Sequence, residues 1–196
     1  MLSLALTFFL VANPIGNSPA MIALVKDCEF SRQKIILLRE AIFALLLALF
    51  FQYFGEFFLD GLSIKDYAVM ASGGLLLFIV ALGMIFVNRS SEDSVASTRK
   101  EPFFVPIATP IISGPGLLAI IMLKSRLENN NIKITMAILL AWVGVIAVLT
   151  TAPYLQKFLG KRGLVALEQI MGLILALMSI DMIVNGTSLF IKSLHS

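Results

Sequence analysis

The chain consists of apolar stretches of membrane length separated by short polar segments. A helix needs roughly 20 predominantly apolar residues to cross a bilayer. Six stretches are of about this length, and they predict six transmembrane helices over residues 2–25, 35–58, 67–87, 103–123, 134–155 and 167–190. The first stretch is expected to remain as a span rather than be cleaved as a signal peptide, because no Lys or Arg precedes it. The predicted fold class is an all-α membrane protein.

The longest polar segment divides the chain into two similar halves. Residues 88–101 are interpreted as a polar linker between a first three-helix repeat, residues 1–87, and a second, residues 102–196, within one integral membrane domain. Residues 74–85 match residues 172–183 at an offset of 98, including the first glycine and the penultimate methionine. An odd number of spans per repeat predicts that the second repeat enters the membrane from the opposite side, which gives an inverted repeat.

Lysine and arginine positions predict the orientation of the spans. Ten of the 15 Lys and Arg residues lie in or beside the loops that follow the first, third and fifth spans. Loops rich in Lys and Arg stay on the cytoplasmic side of the membrane. Both termini are therefore predicted to lie outside, on the periplasmic side.

Proline and glycine interrupt the first and fourth spans. A proline inside a helix lacks a donor N–H and clashes with the preceding turn, so two prolines five residues apart predict a break. Non-helical backbone at membrane depth is tolerated only where it is buried in protein or lines a wet cavity, and matched breaks in two halves point to a transporter's binding site. The breaks are Asn13-Pro14-Ile15-Gly16-Asn17-Ser18-Pro19 and Thr109-Pro110-Ile111-Ile112-Ser113-Gly114-Pro115-Gly116.

Each break is predicted to start a half-helix near the middle of the membrane. Ser18 before Pro19, and Gly114 before Pro115, are typical helix starts. Free N–H groups at such an end favour a carboxylate, whereas released carbonyls and amide side chains favour an ammonium group or a cation. The pair suits a zwitterionic amino acid, and the alternative is two structural kinks. The candidate substrate-binding residues are Asn13, Gly16, Asn17, Ser18, Thr109, Ser113, Gly114 and Gly116, and the helix-breaking residues are Pro14, Pro19, Pro110 and Pro115.

An acidic residue lies deep in the last predicted span. Asp181 is about fourteen residues into the span, where a charged side chain is expensive and by default suggests a function. Asn185 follows four residues later, on the same helix face. Asp181 and Asn185 are therefore candidates for coupling transport to a proton. The alternative is a neutral acid hydrogen-bonded to a neighbouring helix.

Other residues within the spans are given structural interpretations. Glu40 and Glu56 flank the second span and are expected at the membrane interface, with Glu40 paired to Arg39 or Lys34. Trp142 carries no special signal. Glycines let membrane helices approach closely, and this packing role is predicted for Gly73, Gly74, Gly83, Gly144 and Gly172.

Composition excludes several classes of protein. The chain is 59% hydrophobic and 14% charged, whereas soluble domains have about 25% charged residues. Lys and Arg are scattered between apolar runs, which argues against nucleic-acid binding. Cys28 and His195 are the single cysteine and the single histidine, so a zinc or haem site and a Ser-His-Asp triad are not expected. We expect no enzyme activity, metal or cofactor; the coupling ion, proton or sodium, stays open.

Three segments resemble the MarC family of six-span bacterial inner-membrane proteins, named for multiple antibiotic resistance: FFLVANPIGNSPAMIAL, EPFFVPIATPIISGPGLLAII and ALEQIMGLILALMSIDMIVNG. The resemblance covers essentially the whole chain. It implies an inverted-repeat helical transporter in a family that includes a transporter of alanine, glycine and threonine. The family's signature positions fall on Asn13, Pro14, Gly16, Asn17, Pro19, Pro110, Gly114 and Pro115. Asp181 departs from the family pattern, in which glutamine often stands there.

The leading hypothesis is secondary transport of small neutral amino acids such as alanine, glycine, serine or threonine across the inner membrane, with export as a candidate direction. The expected partners are the amino acid and the lipid bilayer, with a homo-oligomer left open. The alternatives are a transporter of another small solute and a scaffold or accessory protein that transports nothing.

Overall fold

A computed structural model describes residues 1–25, 28–86, 112–128 and 130–194, and in these ranges the regular structure is helical. The predicted linker, residues 88–101, and the two candidate residues Thr109 and Pro110 lie outside the described residues. The last helical stretch, Asn131–Leu194, bends at Gly160, whose φ of 66° is left-handed. The helices are α1 (Leu2–Ala12), α2 (Ser18–Val25), α3 (Phe30–Gly61), α4 (Asp66–Ile85), α5 (Pro115–Leu127), α6 (Asn131–Tyr154) and α7 (Arg162–Leu194).

Four of the described helices, α3, α4, α6 and α7, are long and apolar enough to cross a membrane. They coincide with the second, third, fifth and sixth predicted spans. Large apolar side chains such as Leu46, Ile79 and Leu173 face outward along them, as expected where lipid rather than water is the solvent. The chain is thus an all-helical, multi-pass membrane protein. The first predicted span is divided into α1 and α2, so its predicted break is present.

Helices α4 and α7 cross in an antiparallel pair at very short range. A methyl group added at Gly74 would lie 2.9 Å from the Ser179 carbonyl oxygen, and one added at Gly172 would lie 3.1 Å from the Ala81 carbonyl oxygen. Residue 179 follows residue 81 by 98 positions, which is also the offset between the two glycines. The same offset relates two further sets of contacts: Gly74 with Met182 and Ile183, and Gly172 with Met84 and Ile85.

The glycine predictions divide according to the face on which each residue lies. Gly73 faces α5, where an added methyl would meet the Ala119 methyl at 2.7 Å, and Gly144 faces the Phe9 ring at 3.0 Å. With Gly74 and Gly172, these packing predictions are confirmed. The described residues do not support the prediction for Gly83, because none of their atoms lies within 4 Å of an added methyl.

Helices α3 and α6 form a second antiparallel pair, with polar contacts near both ends. At one end Lys34 Nζ donates to the Tyr154 hydroxyl at 2.6 Å. Toward the other, Gln52 Nε2 donates to the Thr135 hydroxyl at 2.7 Å. Between these levels, alanines such as Ala41, Ala44 and Ala48 are fully buried, which lets neighbouring helices pack close to the α3 backbone.

Candidate functional site

The first break begins where α1 ends at Asn13. This residue has φ 47° and ψ 50°, a left-handed conformation that asparagine tolerates better than most non-glycine residues. Its amide caps the turn that follows, because Oδ1 accepts a hydrogen bond from the Gly16 N–H at 3.2 Å. Its Nδ2 lies 3.2 Å from the Met84 sulfur on α4. Asn13 is 1% exposed, so the break is anchored inside the protein.

The carbonyls that this break releases are satisfied locally. Asn17 Nδ2 donates to the Ala12 carbonyl at 3.2 Å, and the Ser18 hydroxyl donates to the Pro14 carbonyl at 2.6 Å. The Ile15 carbonyl accepts the Ser18 N–H at 3.2 Å. A ligand that binds these oxygens must therefore compete with short-range hydrogen bonds in this conformation.

Helix α2 starts one residue earlier than the sequence predicts. Ser18 was expected as the N-cap, but the first helical carbonyl belongs to Asn17, which accepts the Met21 N–H at 3.0 Å. Ser18 is then the first helical residue, fully buried, and Pro19 the second. Proline still fits there, since the first N–H groups of a helix have no intrahelical partner.

The second break leads into α5 as the sequence predicts. Gly114 is the N-cap, with φ −68° and ψ 162°, and Pro115 is the first helical residue. Within the described part of the chain, no side chain caps this helix start. Ser113 is fully buried and donates its hydroxyl hydrogen to the Ala44 carbonyl of α3 at 2.8 Å. This end of α5 therefore lies against the middle of α3.

The two breaks share one buried environment. Ala12 and Met21, on either side of the first break, belong to the same apolar cluster as Ile112 and Leu117 beside the second. Helix α4 touches both: a methyl at Gly16 would meet the end of the Met84 side chain, and a methyl at Gly116 would lie 2.5 Å from Leu77 Cγ and 3.4 Å from the Gly73 carbonyl oxygen. Polar residues that begin and end half-helices are thus enclosed by apolar side chains.

Trp142 was missed by sequence reasoning. Its side chain is 1% exposed, and its indole N–H donates to the Ala41 carbonyl at 2.8 Å. Both this bond and that of Ser113 end on α3 carbonyls one turn apart. The available signal was a single tryptophan in the middle of a span, whereas tryptophans in membrane proteins concentrate at the interfaces.

Phenylalanine at Trp142 is expected to lower the free energy of unfolding by about 2 kcal/mol, because it removes a buried hydrogen bond and part of a packed side chain. For a chain of this size, that corresponds to a fall of roughly 4–8 °C in the unfolding midpoint. Thermal unfolding in detergent measures the change. Alanine at the neighbouring Val143, which is 66% exposed, is the control and should shift the midpoint little. Equal midpoints for the two variants would contradict the role given to the indole.

The surroundings of two acidic residues, Glu40 and Asp181, differ from those that the sequence predicts. Glu40, expected at the interface, is fully buried, although its predicted partner Arg39 is correct: Arg39 Nη2 lies 2.9 Å from Oε1. Asp181 lies on an exposed face of α7, where its Oδ2 accepts a hydrogen bond from Asn185 Nδ2 at 3.1 Å. In the described residues, the hydrogen bond of Asp181 is with Asn185 on its own helix and not with either break. In the described part of the chain, no three acidic, histidine or cysteine side chains group to hold a metal.

Comparison with known proteins places the whole chain in one family. The model of the MarC family integral membrane proteins matches residues 1–191. The UPF0056 inner membrane protein YhgN of Escherichia coli strain K12 is 38% identical over 192 residues, covering 97% of this chain and 98% of its own. A UPF0056 membrane protein of Chlamydia trachomatis is 35% identical over 188 residues, covering 94% and 91%. No solved structure gives a significant match. On the strength of a match along almost its entire length, this chain belongs to the MarC family of integral membrane proteins.

Proposed function

We propose that this protein is a secondary transporter of small neutral amino acids, whose substrate binds between the two helix breaks. The observation that carries the proposal is the burial of three polar residues, Asn13, Ser18 and Ser113, at the ends of half-helices that are flanked by members of one apolar cluster. Polar residues and irregular backbone at such positions are costly unless they serve a site. Matched half-helices are the arrangement by which transporters bind small solutes near the membrane midplane.

The chemistry of the breaks suits the two ends of a zwitterion. Among the described residues, no side chain caps the start of α5, so its first-turn N–H groups can receive a carboxylate. At the first break, the amide oxygens of Asn13 and Asn17 are acceptors suited to an ammonium group. Both amides make short-range hydrogen bonds in this conformation, so binding exchanges those bonds for bonds to the substrate. Little space beside Gly16 and Gly116 favours a small side chain on the substrate.

The proposal includes an inverted repeat of three spans in each half, with both termini outside. The equivalent contacts of Gly74 and Gly172, related by 98 residues, support it. Alternating access would then move one half against the other about the α4–α7 crossing. Relatives named as inner membrane proteins support the same location for this chain.

Two other functions are kept as alternatives. A transporter of another small solute would use the same breaks. A scaffold or accessory protein would need them only for packing, and the local hydrogen bonds of the first break fit that role too. We propose no enzyme activity for this chain, and Asp181 with Asn185 stays a predicted coupling pair.

Counterflow in proteoliposomes tests the proposal. Vesicles are loaded with unlabelled alanine, glycine, serine or threonine, and entry of the same labelled amino acid is followed. We expect transient accumulation with at least one of them, and its loss in Asn17→Ala vesicles that contain an equal amount of folded protein. Absence of accumulation with all four would contradict amino acid transport; thermal stabilisation by other small solutes would then separate the two alternatives.

A further inference from the structure

Glu40 is a buried carboxylate with one oxygen satisfied and the other not. It is the eleventh residue of α3, and its side chain is fully buried. Oε1 accepts hydrogen bonds from the Arg39 guanidinium, with Nε at 3.0 Å and Nη2 at 2.9 Å. Oε2 is buried and makes no hydrogen bond with any part of the described chain. A buried carboxylate oxygen without a hydrogen bond raises the free energy of the folded protein. This group is therefore a candidate for a functional role.

The position of Glu40 connects it to the proposed site. The next residue, Ala41, accepts the Trp142 indole hydrogen bond through its carbonyl. Ala44, three residues or about 4.5 Å further along the axis, accepts a hydrogen bond from the hydroxyl of Ser113 beside the start of α5. The carboxyl group therefore sits on the same short segment of α3 that holds the second break. A change in its charge acts directly on the helix against which that break packs.

Arg39 is the charged side chain that pairs with Glu40. Helix α3 packs against α2, α5 and the helical stretch Asn131–Leu194, which contains α6. Helix α2 carries no titratable side chain. Those of α5 are Lys124 and Arg126, in its last turn, and those of α6 are Lys133 and Tyr154, near its two ends. On α3 itself, Lys34 is engaged with Tyr154.

We propose that Glu40 is the group that binds and releases the coupling proton of transport; this rests on the transport function proposed above. In the conformation described, Arg39 holds Oε1 of the carboxyl group and leaves Oε2 without a hydrogen bond from the described residues. A proton from the aqueous phase adds to Oε2 and makes a neutral acid, which weakens the attraction to Arg39; release of that proton restores the ion pair. A proton requires one oxygen, whereas a hard metal cation typically requires about six. The one unpaired oxygen of Glu40 suits the proton.

The test compares two transport modes in the same vesicles. The first is counterflow of the labelled amino acid that the wild type exchanges. The second is its accumulation under an imposed pH gradient of either sign, with internal pH followed by trapped pyranine. In the wild type, we expect both modes and a substrate-dependent proton movement. In Glu40→Gln, we expect counterflow within about twofold of the wild type, but a loss of at least about tenfold in gradient-driven accumulation and in proton movement.

Glu56→Gln is the matched control, because this glutamate lies on the same helix but is exposed. It should behave as the wild type. Removing one partner of a buried ion pair can destabilise a protein, so the double variant Arg39→Gln/Glu40→Gln, which removes both charges, should give the same uncoupled result if Glu40→Gln is not recovered folded.

The outcomes separate the two proposals. Absence of counterflow in the wild type contradicts transport itself. Counterflow without proton movement in the wild type overturns only the role of Glu40. Gradient-driven accumulation that survives in Glu40→Gln also overturns the role of Glu40. Loss of counterflow in folded Glu40→Gln overturns it as well, because that result would place Glu40 at the substrate instead. Loss of coupling in Asp181→Asn alone would assign the proton to Asp181.

Discussion

Leucine at Gly74 is expected to lower the midpoint of thermal unfolding by about 2–12 °C. The new side chain would start 2.9 Å from both the Ser179 carbonyl oxygen and Ile183 Cγ1 of α7. The Ser179 backbone cannot rotate away, so the α4–α7 crossing must open. Overpacking of this kind costs about 1–3 kcal/mol, and each kilocalorie corresponds to roughly 2–4 °C for a chain of this length. Thermal unfolding of purified protein in detergent measures the shift.

Two further variants make this prediction specific. Leucine at Gly172 meets the equivalent groups, with Met84 Cβ at 2.9 Å and the Ala81 carbonyl oxygen at 3.1 Å, so its loss should be similar. Leucine at Gly83 lies on the same helix as Gly74 but has open space. It should leave stability unchanged or slightly raise it, because leucine favours helix more than glycine does. If the Gly74 and Gly83 variants unfold at the same temperature, the close crossing is not what holds α4 to α7.

Alanine at Gly16 is expected to reduce counterflow by at least about tenfold. The added methyl would lie 2.6 Å from Asn13 Nδ2 and 2.7 Å from Oδ1, so the amide must leave the position in which it caps the break. It would also meet the end of the Met84 side chain, which can move. A displacement that costs about 1.4 kcal/mol of substrate binding is a factor of ten. The initial counterflow rate per folded protein is the measurement.

Alanine at Gly83 is the control for this substitution, since it adds the same methyl group where no atom of the described residues lies within 4 Å. The Gly16 variant should keep most of its thermal stability, because its main contacts are side chains that can shift. Counterflow at the wild-type rate in Gly16→Ala would show that the geometry of the first break does not determine transport. A collapse of both stability and flux would favour a packing role for the break.

Sequence patterns predicted features that depend on position along the chain. Apolar length identified the four long helices that the structure describes, because crossing a bilayer sets the length of a helix. Proline and glycine located the break after Ala12 and the start of α5 at Pro115, because backbone chemistry determines where a helix can continue. The pairing of Glu40 with Arg39 was also within reach, since the two residues are adjacent.

The side of a helix on which a residue lies was not predictable in the same way. Hydropathy gives the depth of Asp181 and Glu40, but not which side of its helix each occupies. In a nearly uniformly apolar helix, little amphipathic pattern remains to indicate the buried face. For this reason, hydropathy did not indicate that Asp181 is exposed whereas Glu40 is buried. Nor did it indicate that Gly74 packs against α7, whereas no atom of the described residues lies within 4 Å of a methyl added at Gly83. The hydroxyl of Ser18 bonds backward to Pro14 rather than capping α2, a local choice that spacing alone does not decide.

The glycine contacts between α4 and α7 also bear on the entropy of assembly. In a bilayer, helices form before they associate, and lipid supplies no hydrophobic force between them. Ordering a long side chain at an interface costs up to about 2 kcal/mol of rotamer freedom, whereas glycine has none to lose. Gly74, Gly172 and Gly186 each bring backbone atoms of the partner helix to about 3 Å of an added Cβ. The two helices therefore gain close dispersion contact while giving up very little side-chain disorder when they pair.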